Sequence, residues 1–251
     1  MNSYPDIAGA LEKSLNLFLP PISVCISDEV PEGVPDYDGR APAGCLFWQE
    51  AAKGPFATRT SHHELCAIGV HTHHMADPPA SYEGELGDVL KTMAGMDYVR
   101  EQDVLEIPVL ENETRHVIYA PLDKTPLEPT VVLLFAHARQ SLIITEAVQQ
   151  VEPAVPPAMG RPACAVVPRA VRTGRAALSL GCCGARAYLD SLTDDVAIWA
   201  LPGDKVNLYA ARIDILARAN AVLGEFHSLR RNDVEAGLEP TIAESLSRLG
   251  S

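Results

Sequence analysis

A mixed α and β fold, either α/β or α+β, with a mixed sheet flanked by helices, follows from three observations on the sequence. Two segments, "HVIYAPL" (116–122) and "TVVLLFAH" (130–137), are dense in β-branched and apolar residues and bounded by proline, as strands are. Other segments repeat apolar residues at helical spacing: Ile7, Leu11, Leu15 and Phe18 near the start, and Leu142, Ile143, Ala147 and Val151 after the second strand. There is no internal repeat or low-complexity segment, so a solenoid or array is excluded.

Taken in order, residues 5–18 form a helix that stops at Pro20 and Pro21, and "ISVCIS" (22–27) is a strand. An acidic, Pro-rich loop leads to "CLFWQEAAK" (45–53), a short helix ended by Gly54. "HHELCAIGVHTHH" (62–74) fits a helix or an irregular loop, and 75–116 is polar, with a helix at 86–94 and a strand-like "VLEIPVL". The strand 130–137 runs straight into the helix 138–151, a strand-then-helix step that is half of a βαβ unit. "EPAVPPAMGRPA" (152–163) breaks the pattern, and within one domain over 1–251 it marks a boundary between two lobes. Beyond it come a strand opened by Cys164, the turn "SLGCCGAR" (179–186), a helix through Tyr188, the strand "DVAIWALP" (195–202), and helices at 204–223 and 238–249.

The 251 residues carry 20 basic and 33 acidic side chains, a formal charge of −13. That balance excludes nucleic acid and anionic membrane as partners, since both are polyanions. No apolar run reaches the roughly 18–20 residues that span a bilayer. The N-terminus lacks the basic-then-apolar layout of a signal peptide. The expected location is therefore the cytoplasm, where the six cysteines serve as ligands, nucleophiles or small buried apolar residues rather than as structural disulfides.

Those cysteines are unequal. Cys25 lies between Val24 and Ile26 in a strand-like run and reads as core. Cys45 follows "APAG", Cys66 sits among histidines, Cys164 follows the Pro-rich break, and Cys182–Cys183 occupy a turn flanked by Gly181 and Gly184. Glycines beside a thiol let the backbone come close to something, or adopt positive φ. The chain has no Cys-x-x-Cys, which weakens a zinc ribbon, a thioredoxin-type dithiol and a ferredoxin-type ligand run. A site assembled from dispersed cysteines stays open. Three thiolates on a cubane cluster leave one iron free to polarise a substrate.

Among the histidines, His71 and His73 would share a face if "HTHH" (71–74, ending at His74) were extended, but such a run also fits a solvated loop with one or two satisfied histidines. His137 ends a strand, where α/β folds place functional groups, and equally fits a helix cap. Arg186 and Arg59 are candidate anion-binding groups, Arg186 because it follows the Gly-Cys turn. Glu50, Glu64 and Asp190 have nothing to set them apart as acids or bases. No P-loop, G-x-G-x-x-G or G-x-S-x-G is present.

Five stretches occur in one order: "PPISVCISDEVPEGVP", "CLFWQEAAKGPFAT", "HHELCAIGVHTH", "PTVVLLFAHARQSLIITEA" and "SLGCCGAR". In this the chain resembles the uncharacterised family called domain of unknown function 169, or the archaeal conserved region family, across roughly residues 10–215. The paired prolines, the Cys-x-x-Trp stretch, the cysteine before x-x-Gly and the S-x-G-C-x-G-x-R turn carry the likeness. The resemblance implies a cytosolic prokaryotic protein whose pattern cysteines fall on Cys45, Cys66 and Cys182, with Cys183 at a variable position.

The resulting expectation is a cytosolic iron–sulfur enzyme with a [4Fe–4S] cluster on Cys45, Cys66 and Cys182 and with Cys164 as a fourth ligand position. It acts on a small anionic molecule bound by Arg186, by lyase, hydratase or desulfurising chemistry. If Cys164 closes the cluster, electron transfer is expected instead. The alternatives are a metal-free thiol enzyme or thiol redox protein using Cys182, a zinc or other divalent-metal protein using Cys66 with His71 or His73, and a small-ligand sensor. Cys45, Cys66 and Cys182 are expected to meet in one pocket with Arg186 beside it and Cys25 outside.

Overall fold

The structure, a computed structural model, describes residues 2–76, 84–152, 158–159 and 162–249. Helix α1 (Tyr4–Leu15) starts where Ser3 accepts the Asp6 N–H at 3.3 Å and the Asp6 carboxylate accepts the Ser3 N–H at 3.2 Å. It ends at Asn16, in the left-handed region, and the Gln140 side-chain amide caps the Leu15 and Asn16 carbonyls at 2.8 and 2.9 Å. Phe18, assigned to the helix from its spacing, lies beyond it and is exposed. Gly9 sits mid-helix on the exposed side, and a Cβ there would meet no atom within 4 Å. Gly9→Ala is therefore expected to stabilise the protein by about 1 kcal/mol, because alanine loses less backbone entropy in a helix. A rise in the urea midpoint at unchanged slope checks it.

The remaining elements are β1 (Ile22–Ser27), α2 (Leu46–Glu50), β2 (Phe56–Thr58), α3 (Ala67–Thr72), α4 (Glu85–Gly95) and α5 (Glu101–Val104). They continue with β3 (His116–Pro121), β4 (Val131–His137), α6 (Ala138–Val151), β5 (Ala158–Met159), α7 (Val166–Thr173) and β6 (Ala177–Ser179). The chain closes with α8 (Cys183–Tyr188), β7 (Val196–Pro202), α9 (Val206–Glu235) and α10 (Ile242–Ser247). The strands form one sheet in the order β2-β3-β1-β4-β7-β6-β5, antiparallel except for the parallel pair β5 and β6. This is an α+β fold.

Strand alternation sends side chains to two separate cores. From β4, Val131, Leu133 and Phe135 enter one core, while Val132, Leu134 and Ala136 enter the other. The second core is closed by α1, α6 and the first half of α9, through Ile7, Leu11, Ile144, Tyr209 and Ile213. The first core lies under α2 and α7, and it is the one that contains Cys45, Cys66 and Cys164. Cys25 alternates away from Val24 and packs with Ala57 and Ile118 in a third, small cluster.

Four sequence expectations need correction. The strand-like "VLEIPVL" is no strand: Val104 ends α5 and the rest is irregular, since Pro108 interrupts any ladder. Cys164 does not open a strand but sits in a 3₁₀ turn (Ala163–Ala165) that feeds α7. The β4–α6 step is not half of a βαβ unit, because both neighbours of β4 run antiparallel to it. The helix expected at 204–223 continues to Glu235. The Pro-rich stretch 152–163 lies partly outside the described residues, and strands from both sides of it join the one sheet.

Candidate thiol-lined site

Each of the three pattern cysteines occupies the same local position. Cys45 is the N-cap of α2, Cys66 of α3 and Cys182 of α8. An N-cap residue stands where amide N–H groups of the first helical turn have no partner within the helix, so its side chain meets donors. At Cys182 the Ala185 N–H donates to Sγ at 3.4 Å. At Cys45 and Cys66 the side chain accepts no hydrogen bond from the helix start, although nearby backbone N–H groups, of Cys45 and Leu46 in the one case and of Gly44 and Gly69 in the other, favour the thiolate.

The glycines make this approach sterically available. A Cβ on Gly69 would stand 2.9 Å from the Cys66 sulfur, and one on Gly44 would stand 3.0 Å from His63 Nδ1 and 3.9 Å from the same sulfur. In the "SLGCCGAR" turn Gly181 takes φ +83°, and a Cβ there would press on Leu192 at 2.9 Å. That turn requires glycine. Gly184 is different: a Cβ would make only ordinary contact with the Tyr188 ring at 3.7 Å.

Cys45, Cys66, Cys164 and Cys182 line one cavity of about 200 Å³, walled otherwise by mostly apolar groups such as Leu65, Ile68, Leu86 and Ala163. Cys45, Cys66 and Cys164 are buried and Cys182 is half-buried. Burial pushes the Cys45 thiol up to about 12, with the neighbouring Cys182 and Cys66 adding to the effect. Burial likewise raises Cys66 and takes Cys164 well above the ordinary thiol range. In Cys66 the two glycine amides work in the opposite direction. These thiols are therefore protonated at neutral pH unless a cation replaces their protons.

Among the described residues no three His, Cys, Asp or Glu side chains are grouped to hold one metal ion. A single tetrahedral ion with bonds of about 2.3 Å needs sulfurs about 3.8 Å apart, whereas a cubane cluster spreads its ligand sulfurs to roughly 6–7 Å.

Arg186 does not line this cavity. Its guanidinium donates to the carbonyls of Thr193 at 2.6 Å, Val196 at 3.3 Å, Leu192 at 3.5 Å and Leu180. It ties the Cys182 turn to the loop before β7, and its donors are spent on backbone. Arg59 is likewise engaged, with Asp36 at 2.6 Å. His137 is the N-cap of α6, and its Nδ1 lies 2.7 Å from Asp195, outside the cavity. Glu50 pairs with Lys53. Cys183 is exposed.

The histidine-rich segment is helical, so His71 and His73 do not share a face as they would in a strand. It is also no solvated loop. His63 and His73 are buried, with His63 Nε2 3.0 Å from Thr58 Oγ1 and His73 Nδ1 3.2 Å from the Gly69 carbonyl. Burial lowers His63 to about 3 and His73 to about 4. The unfolded chain, with ordinary histidines titrating near 6.5, takes up protons that the folded chain refuses. Stability is thus complete above about pH 6.5 and falls as pH drops toward 3, by roughly 1 kcal/mol per unit for each histidine. Urea unfolding of the metal-free, reduced protein at pH 7 and pH 5 isolates this from carboxylate titration. A stability that stays flat across that interval contradicts it.

Sequence reasoning left two contributors unassigned, Gly44 and Gly69. The signal was present, since glycine directly precedes one cysteine and stands three residues after another.

An α+β protein with four thiols on one side of its sheet is thus defined by the fold and the site. The chain belongs to the DUF169 family, described as uncharacterised ArCR, which it matches over residues 10–212. All four cavity cysteines fall inside that region, while most of α9 and all of α10 lie beyond it. No curated protein and no solved structure matches the chain.

Proposed function

We propose that the protein is an iron–sulfur protein whose [4Fe–4S] cluster is held by Cys45, Cys66 and Cys182, with Cys164 in reach as a fourth ligand. One observation carries the reading: four cysteines from four segments distant in sequence line a single cavity. The donor set fits. Thiolates are the ligands of such clusters, an N–H group such as that of Ala185 on the Cys182 sulfur tunes the potential, and apolar walls limit water beside it.

With three ligands, the cluster supplies an open iron that acts as a Lewis acid toward a small molecule; with Cys164 as fourth ligand, it supplies electron transfer. The chain's own residues hold the sulfurs, exclude water and, through Arg186, fix the Cys182 turn. Arg186 does not serve the anionic substrate expected of it, because its Nη donors go to backbone carbonyls. A cytoplasmic setting agrees with thiols kept reduced. Among the described residues no helix is long and apolar enough to cross a membrane.

The test is elemental analysis of protein isolated without oxygen. About four irons per chain with broad visible absorbance are expected. A colourless protein that takes up no iron on anaerobic reconstitution overturns the proposal. A second reading, a metal-free thiol protein, is favoured by the half-buried Cys182 with its Ala185 N–H. It requires Cys182 to alkylate faster than free cysteine in iron-free protein.

A further inference from the structure

A second cavity of about 200 Å³ lies against the first. Val89, Leu90 and Met93 of α4 form one wall, Val99 and Ile107 on either side of α5 another, and the Cys182–Gly184 turn the third. The two cavities share Ile68, Val89, Pro162, Cys182 and Gly184, so Cys182 stands on the partition between them.

We infer that this outer chamber binds a small, uncharged molecule with an apolar body and delivers its reacting end to the Cys182 side of the thiol site. Its size sets the class of occupant, because an α-helix with side chains is about 10 Å across and does not enter such a volume. Charge narrows the class. Among the described residues no lysine or arginine lines either cavity, and the one carboxylate among them, Asp103, is held by Arg100 at 2.5 Å. An anion entering would give up its hydration with no cation among these lining residues to replace it, and a cation would find the Asp103 carboxylate already engaged. A concave, mostly apolar chamber that reaches Cys182 of the thiol site is placed for a ligand.

The assignment of a reacting end rests on the proposed cluster, but binding itself does not, and the two fail separately. The probes are 1-hexanol and hexanoate, titrated into the full chain prepared without oxygen and carrying isotope-labelled methionine methyls. Hexanol is expected to shift the Met93 methyl signal saturably, and hexanoate to bind at least about tenfold more weakly. Met93→Trp fills the chamber and should weaken hexanol at least about tenfold while leaving the iron content unchanged. Leu90→Phe makes the same test with less added bulk if the tryptophan chain does not fold. Cys45→Ser should lose iron and keep hexanol binding, so an iron-free wild type that still binds hexanol sinks the cluster and not the chamber. Equal or tighter binding of hexanoate, or a Met93 signal that does not respond to hexanol, overturns the inference.

Discussion

Cys66→Ala is expected to reduce bound iron from about four per chain to below one, while lowering the stability of the metal-free protein by no more than about 1.5 kcal/mol. The two effects separate because alanine nearly matches a buried thiol in volume, but cannot bond to iron. Cys66 is the most informative of the four. The nearby Gly44 and Gly69 amides favour its thiolate, and Gly69 has room for no side chain beside it. Cys25→Ala is the control: also buried, Cys25 packs with Ala57 and Ile118 away from the cavity, and the variant should keep its iron. Iron content and urea unfolding on the same preparations check both. Full iron loading in Cys66→Ala, or loss of iron in Cys25→Ala, contradicts the ligand assignment.

Gly203→Ala carries the largest expected effect on folding. Gly203 follows β7, and its N–H donates to the Thr130 carbonyl at 3.1 Å. A Cβ there would stand 1.6 Å from the Pro129 carbonyl oxygen and 2.6 Å from its carbon. Both are backbone atoms at the entry to β4, so relief requires moving the two central strands β4 and β7 apart. Overpacking a flexible contact costs about 1–3 kcal/mol, and this one has no flexible partner, so about 4 kcal/mol or outright failure to fold is expected. Thermal unfolding or soluble yield reads the result. A wild-type melting temperature would show that the β4–β7 connection is not as close as described.

Gly203 also shows where sequence reading ends. Strands such as β1, β3, β4 and β7 were legible because β-branched runs bounded by proline have few other uses. The Gly203–Pro129 approach was not, because it joins segments that meet only in the folded sheet. The same limit governed the site. Spacing and family pattern picked out Cys45, Cys66 and Cys182, and the Pro-rich break drew attention to Cys164. Their shared position as N-caps or in a tight turn depends on where short helices begin, which single-residue patterns locate poorly over five or six residues. Arg186 shows a related limit. An arginine near a glycine turn looks the same in sequence whether its donors face an anion or backbone carbonyls, and only the returning loop at 192–196 decides between them. The expected strand at "VLEIPVL" failed because apolar density alone does not separate a strand from the wall of a chamber. Ile107, from that segment, lines the outer cavity.

The cluster is the centre of this account, and iron K-edge X-ray absorption on anaerobically isolated protein tests it most directly. Coordination by sulfur at about 2.3 Å, together with a short iron–iron shell, is the predicted result. Iron bound by nitrogen and oxygen alone, or by sulfur without a neighbouring iron, would contradict it.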